Sequence, residues 1–421
     1  MKSIAKPAAT LMLVFIGFQL SFAQQLTMFA GISNPESVVA DDNFIYVTDI
    51  GKELKPMEKD GDGKIWRLTK DGKFIDNDFF KAKLNSPKGT ALFNNLLYIA
   101  DIDRVVVLNT KTGNLINEIS LEKFGVKLLN DLCIKDGKEL FATCTISGKV
   151  FNIPLNNESK ISVLDIPEIK GANGISYDAI SNKLVVVGLG SFDSPKGLGE
   201  IYIVSLNGKQ PTSNKLNGIT GFFDGVEWLD ENHIITDDWV SLSENKGIVN
   251  IVNIKTLEIK KLNPIPIGGP ADFFLDKEQK QLIVPATLQG RLIRLSTDKR
   301  KLNPNVYEAG FSIFENIKKE NADQHIKNIT QSSPEIASNI IEYAYGNIYN
   351  GLRLDMKTAE LCVVAILAAK GGLEPQLKIH ISEGFNFGAT KKDLEDVMKL
   401  VELYSGIPNA INGLKLISKE D

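Results

Sequence analysis

Between Pro35 and Asp272 the chain repeats one pattern of polar and apolar positions six times. A small or polar pair opens each repeat, and a short apolar or mixed run follows. The openings are Pro35-Glu36-Ser37, Pro87-Lys88-Gly89, Leu129-Asn130-Asp131, Ala172-Asn173-Gly174, Phe223-Asp224-Gly225 and Pro270-Ala271-Asp272. A second apolar run comes next, as in Phe44-Ile45-Tyr46-Val47 and Leu97-Tyr98-Ile99-Ala100. The starts lie roughly 40–50 residues apart, and short strands repeated at that period read as the blades of a β-propeller. The first strand of every blade lines the central channel, so equivalent starts converge on one axis. The expected ring is Glu36, Lys88, Asn130, Asn173 and Asp224, with Ala271 as a gap.

The rest of residues 24–298 also reads as β. Alternation is clear in Lys64-Ile65-Trp66-Arg67-Leu68 and Glu200-Ile201-Tyr202-Ile203-Val204, and hairpin turns fall at Lys70-Asp71-Gly72, Lys111-Thr112-Gly113 and Lys135-Asp136-Gly137. Blades one to five have four strands each, and the sixth has three. Leu26 to Ala30 is a spare strand that would complete the sixth blade and remove the open edge. Three loops between second and third strands, 50–63, 190–199 and 238–247, should overhang the mouth where the ring gathers. Asp60-Gly61-Asp62-Gly63 lacks the later ligands of a calcium loop and reads as a turn.

From Pro304 the period becomes helical. Ser333-Pro334 reads as a helix start, Asp355 as a cap and Thr390 as a cap with Asp393 three residues on. Leu361, Val364, Ala365 and Ala368 then fall at helical spacing. The fold class is therefore multi-domain, an all-β six-bladed propeller over 24–298 followed by an all-α domain over 299–421, with a polar join at 297–304.

Composition adds less. The 421 residues suit more than one domain, and a net charge of −4 with dispersed Lys and Arg gives no nucleic-acid footprint. Residues 1–23 have the basic start, apolar run and small-residue end of a signal peptide, which implies an exported, periplasmic or secreted protein with no membrane association after cleavage. Cys133 and Cys144 fall on successive strands and read as free thiols, and Cys362 as a helical core residue. Of the three histidines, His233 and His325 read as surface residues.

At the ring, Glu36, Asn173 and Asp224 offer two carboxylates and an amide oxygen, a set suited to one hard divalent cation. A wet polar channel is the alternative. In blade order, Pro35-Glu36, Leu129-Asn130-Asp131, Ala172-Asn173-Gly174 and Phe223-Asp224-Gly225 resemble the senescence marker protein/gluconolactonase (regucalcin-like) family over roughly residues 30–296. The resemblance implies a metal held by Glu36, Asn173 and Asp224, with Asn130 beside it contacting substrate. Calcium is the expected ion, with magnesium, manganese or zinc as alternatives. The implied reaction is hydrolysis of a lactone or ester, with Asp224 also accepting a proton. Lys88 would stabilise an oxyanion, bind a substrate carboxylate or balance the acids. Leu128 departs from the family, which commonly has Arg there.

In the helical part, His380 stands in Gln376-Leu377-Lys378-Ile379-His380-Ile381, before Gly384-Phe385-Asn386-Phe387-Gly388. That segment, Leu354 to Leu361 and Tyr404 to Ala410 resemble the carboxymuconolactone decarboxylase family. The likeness implies a homo-oligomer, a trimer or hexamer, and a pocket where Glu360 and His380 meet as an acid/base pair. Related peroxidases place a Cys-x-x-Cys before this histidine. Here Leu373 and Gln376 hold those positions, which argues against a dithiol relay. The expected protein is thus a lactonase-like hydrolase fused to a decarboxylase-like domain. The rival is a non-catalytic binding propeller multimerised by inert helices.

Overall fold

The computed structural model describes residues 24–191 and 197–418. The signal-peptide segment 1–23 and part of the loop 190–199 lie outside the described residues. The chain divides into a unit running to Gly346 and a second unit from Asn347.

The first unit is built on six four-stranded antiparallel sheets. Blade one is Pro35–Ala40, Phe44–Asp49, Lys64–Thr69 and Phe74–Asp76. Blades two to five repeat that order from Pro87, Leu129, Ala172 and Val226. Blade six takes Phe274–Asp276, Gln281–Ala286 and Arg291–Ser296, and Gln25–Ala30 pairs with the last of these as its outer strand. The ring is therefore closed by joining the two ends of the β region, which hides both edges. Its core is the alternating apolar faces of neighbouring blades, such as Ile235, Val249, Leu282 and Val284 between blades five and six. At Asn94-Asn95, between the paired Phe93 and Leu96, both residues have positive φ, the conformation a two-residue hairpin needs to match strand twist.

Four of the six first strands begin with the same irregularity. Pairing skips between Pro35 and Ser37, Pro87 and Thr90, Leu129 and Leu132, and Ala172 and Ile175. Glu36, Lys88, Asn130 and Asn173 lie inside these bulges, where a residue leaves the ladder and its side chain is re-aimed.

The sequence reads one helical domain after the join, and the packing divides it. Helices α1 (Val306–Lys318), α2 (Ala322–Ser332) and α3 (Pro334–Asn339) belong to the propeller's unit. The reason lies in blade six. Arg294 grips the buried Glu308 through two hydrogen bonds of 2.7 and 2.6 Å, and Arg291 pairs with Glu315 and Asp323. Tyr307 stacks on Phe29 at 5.8 Å and accepts a hydrogen bond from Ala30 N. A π-helical stretch, Ile340–Tyr349, follows.

The second unit contains α4 (Met356–Lys370), α5 (Glu374–Asn386), α6 (Lys391–Ser405) and α7 (Ile407–Ile417). Asp355 and Thr390 cap α4 and α6 through Thr358 N and Asp393 N. Gly371, at φ +68°, ends α4. Val364, Ala368, Leu377, Ile381, Leu394 and Met398 form its core. Cys362 is exposed, contrary to the core position read from sequence, because the buried face of α4 runs through Ala359, Glu360, Val364 and Ala368. Cys133 and Cys144 are free and buried.

The Arg294–Glu308 pair carries a prediction. Arg294→Met should destabilise the first unit by about 3 kcal/mol, because Glu308 keeps its buried charge without its partner. Urea unfolding measures this, and an unchanged midpoint would show that α1 does not depend on the pair.

Candidate functional site

At the openings of blades two, four and one, threonine hydroxyls on or just past the second strand of the preceding blade pin the chain near the ring residues. Thr48 Oγ1 donates to the Lys88 carbonyl at 3.0 Å, and Thr143 Oγ1 to the Asn173 carbonyl at 2.5 Å. Thr287 Oγ1 donates to the Pro35 carbonyl at 2.7 Å. Asp237 fixes blade five's opening by accepting from Asp224 N at 3.0 Å and Gly225 N at 3.1 Å. The blades approach closely here. A Cβ on Gly174 would stand 2.1 Å from the Asp224 carbonyl oxygen.

All six predicted ring positions are buried. Glu36 Oε2, Asn173 Oδ1 and Asp224 Oδ1 are buried acceptors with no hydrogen bond among the described residues. Burial raises the Glu36 carboxyl well above the usual range, and the nearby Asp224 adds to the shift. Burial also pushes Asp224 up to about 7, against the pull of Trp239, Lys88 and Asn173. Below them, Asp131 and Asp272 are raised well above the usual range by burial and by neighbouring acids. Asp272 Oδ2 accepts from Ser37 Oγ at 2.5 Å.

Asn130 is oriented by a 3.0 Å hydrogen bond from Nδ2 to Thr145 Oγ1. The side-chain amine of Lys88 is committed elsewhere. It donates to the Pro56 carbonyl at 2.7 Å, the Ser86 carbonyl at 2.8 Å and Ser86 Oγ at 3.2 Å. Burial lowers its pKa to about 8, against the pull of Glu36, Asp101 and Asp224. Lys88 thus ties the loop after Asp49 to the ring, and its three N–H groups are already used. Asp60 and Asp62 close that loop on itself, with Asp62 accepting from Lys52 N at 3.0 Å.

A cleft of about 730 Å³ lies over blades three and four, bounded by Pro56 and Met57 from this loop and by Leu128, Thr145, Ile146 and Ser147. It adjoins the ring through Pro56, which Lys88 holds, and through Thr145, which holds Asn130.

In the second unit Glu360, on α4, and His380, on α5, meet across the Gly371-Gly372 turn. His380 Nδ1 lies 2.8 Å from Glu360 Oε2 and 3.1 Å from Glu383 Oε2. Tyr349 donates to Glu360 Oε1 at 3.2 Å. Burial disfavours the charged imidazole, but hydrogen bonds to Glu360 and Glu383 outweigh it and raise His380 to about 9. His233 sits on an exposed turn against Asp230, and His325 packs on Phe314.

Sequence reasoning missed Trp239, Thr145, Glu383 and Tyr349. Only Glu383 carried a signal, standing one helical turn from His380.

Residues 334–419 match the model of the carboxymuconolactone decarboxylase family. A 4-carboxymuconolactone decarboxylase of Acinetobacter baylyi is 26% identical over 103 residues, 24% of this chain and 76% of the relative. An uncharacterized protein of Methanocaldococcus jannaschii is 28% identical over 97 residues, 22% of this chain and 89% of its own. A virginiamycin B lyase structure from Staphylococcus aureus aligns over 65% of this chain and 98% of its own, at 15% identity and a TM-score of 0.44. The chain therefore carries, after a six-bladed propeller, a C-terminal domain of the carboxymuconolactone decarboxylase family.

Proposed function

We propose that the propeller is a divalent-cation-dependent hydrolase of lactones or esters. One observation carries this reading: Glu36, Asn173 and Asp224 each present a buried side-chain oxygen with no hydrogen bond. Unsatisfied buried acceptors are costly, and three at equivalent blade starts fit an oxygen-ligated ion better than a hydrated channel. The donor set is all oxygen, which favours calcium, magnesium or manganese over a soft-ligand zinc site. A bound cation would act as a Lewis acid on a carbonyl oxygen and activate water. Asn130, fixed by Thr145, would orient the substrate, and Asp224 would accept the proton released by the attacking water. Lys88 would act through the Pro56 loop, because its donors are already taken.

For the helical unit, we read a self-associating module with a proton held at His380. Leu403, Tyr404, Ile407 and Leu400 are each more than half exposed, an apolar surface suited to a second copy of the chain. Two carboxylates keep His380 protonated at neutral pH, so it is placed as an acid rather than a base.

Chelator should lower the melting temperature of the wild type, since a cation bound only to the folded state stabilises it by about 2.7 kcal/mol at a hundredfold excess over Kd. Asp224→Asn should remove that sensitivity and lower lactone hydrolysis by about a hundredfold or more. Purified protein without bound metal, whose melting ignores chelator and which turns over no lactone, would leave a binding platform.

Light scattering of the full chain should show an oligomer, which Leu403→Glu with Tyr404→Glu reduces to monomers. A monomeric wild type would overturn self-association.

His380 gives a pH dependence. Its folded pKa lies above the unfolded value of about 6.5, so its stabilisation is complete below pH 6.5. It is lost as pH rises through about 9. Urea midpoints followed by helical circular dichroism should fall across that window in the wild type and flatten in His380→Gln. Midpoints equal at pH 6 and 9 in the wild type would contradict the charged pairing.

A further inference from the structure

The ring supplies polar chemistry, while the cleft beside it has a different character. Met57 and Ile146 are more than half exposed, at 55% and 52%, and both border the cleft with the buried Leu128. Three apolar side chains thus come together from the loop after Asp49, the approach to blade three and the turn after its second strand. Its volume of about 730 Å³ falls within the range for small-molecule sites. Among the described residues, the charged groups of the lining are Glu168 and Lys170, both exposed and opposite in sign.

We propose that this cleft takes an uncharged lactone or ester carrying a hydrocarbon chain, and not a sugar acid or a phosphorylated compound. This deepens the hydrolytic reading of the ring and rests on it for the reaction. The chain lies against Met57, Leu128 and Ile146. The ester group extends past Thr145 toward Asn130. An anionic ligand would gain nothing from a lining whose single lysine is offset by a glutamate. A polyhydroxylated one would leave its hydroxyls against apolar walls, at a cost in unmade hydrogen bonds.

The test separates binding from turnover. Binding of 2-alkylcyclopentanones, non-hydrolysable stand-ins for alkyl lactones, is measured by calorimetry on the full-length protein with its metal. Affinity should rise about threefold per added methylene up to the length of the cleft. Met57→Asp and Ile146→Asp, both at exposed positions that spare the fold, should each weaken that dependence at least threefold for the longest chain. The proposal is overturned if affinity is flat with chain length, or if neither aspartate variant alters it. Lactone turnover is followed on the same samples. Chain-dependent binding without turnover keeps the cleft assignment and sinks the hydrolytic reading. Turnover with flat binding does the reverse.

Discussion

The structure depends on one repeated constraint: the first strand of a blade must leave its ladder for a residue where it meets the axis. An unbroken ladder would send alternate side chains into the blade-to-blade core and leave little for the channel. The skipped pairing at Glu36, Lys88, Asn130 and Asn173 breaks that alternation. The carbonyls freed by the bulge need donors, and threonines on second strands supply them, as Thr48 does for Lys88 and Thr143 for Asn173. The same hydroxyls therefore satisfy the backbone, join successive blades and set the aim of the ring side chains.

The ring is electrostatically unfinished. Glu36 and Asp224 open two of the blades, Asp131 and Asp272 are buried near them against Ile175 N and Ser37, and burial raises all four. The buried cation among them, Lys88, spends its hydrogen bonds on Pro56 and Ser86. Its charge pulls Glu36 and Asp224 down in part, yet their free oxygens gain no donor from it. Lys88 thus links the ring to the wall of the cleft: the group that moderates the acids also holds Pro56, next to Met57.

Much of this was legible in the sequence. The six polar openings place the ring, and the spare strand at Leu26 to Ala30 closes it, because strand period and turn chemistry are local. Thr48 and Thr143 were not legible, since a threonine in a strand looks the same whether it faces solvent or a neighbouring blade. Trp239 was hidden in a loop, whose path depends on what it packs against. The division of the helices was hidden for a related reason. Arg291 and Arg294 sit on the third strand of blade six, and their partners Glu308, Glu315 and Asp323 come opposite them only through packing. Glu360 and His380 could be paired from motifs, but Glu383 lies on a helix face whose burial only the packing reveals.

The two units hold their buried carboxylates differently, beside a histidine in one and around a polar ring in the other. In the helical unit Glu360 and Glu383 share the proton on His380 Nδ1, and Tyr349 donates to the remaining oxygen of Glu360. Positive charge is built into the site. In the propeller, among the described residues, Glu36 Oε2 and Asp224 Oδ1 make no close hydrogen bond, and the indole of Trp239 lies near enough to Asp224 to favour its charged form. Buried acceptors left without a donor call for an explanation, and the proposed cation is one. Each unit therefore asks for a different kind of perturbation: proton concentration for the helices, and cation and substrate for the ring.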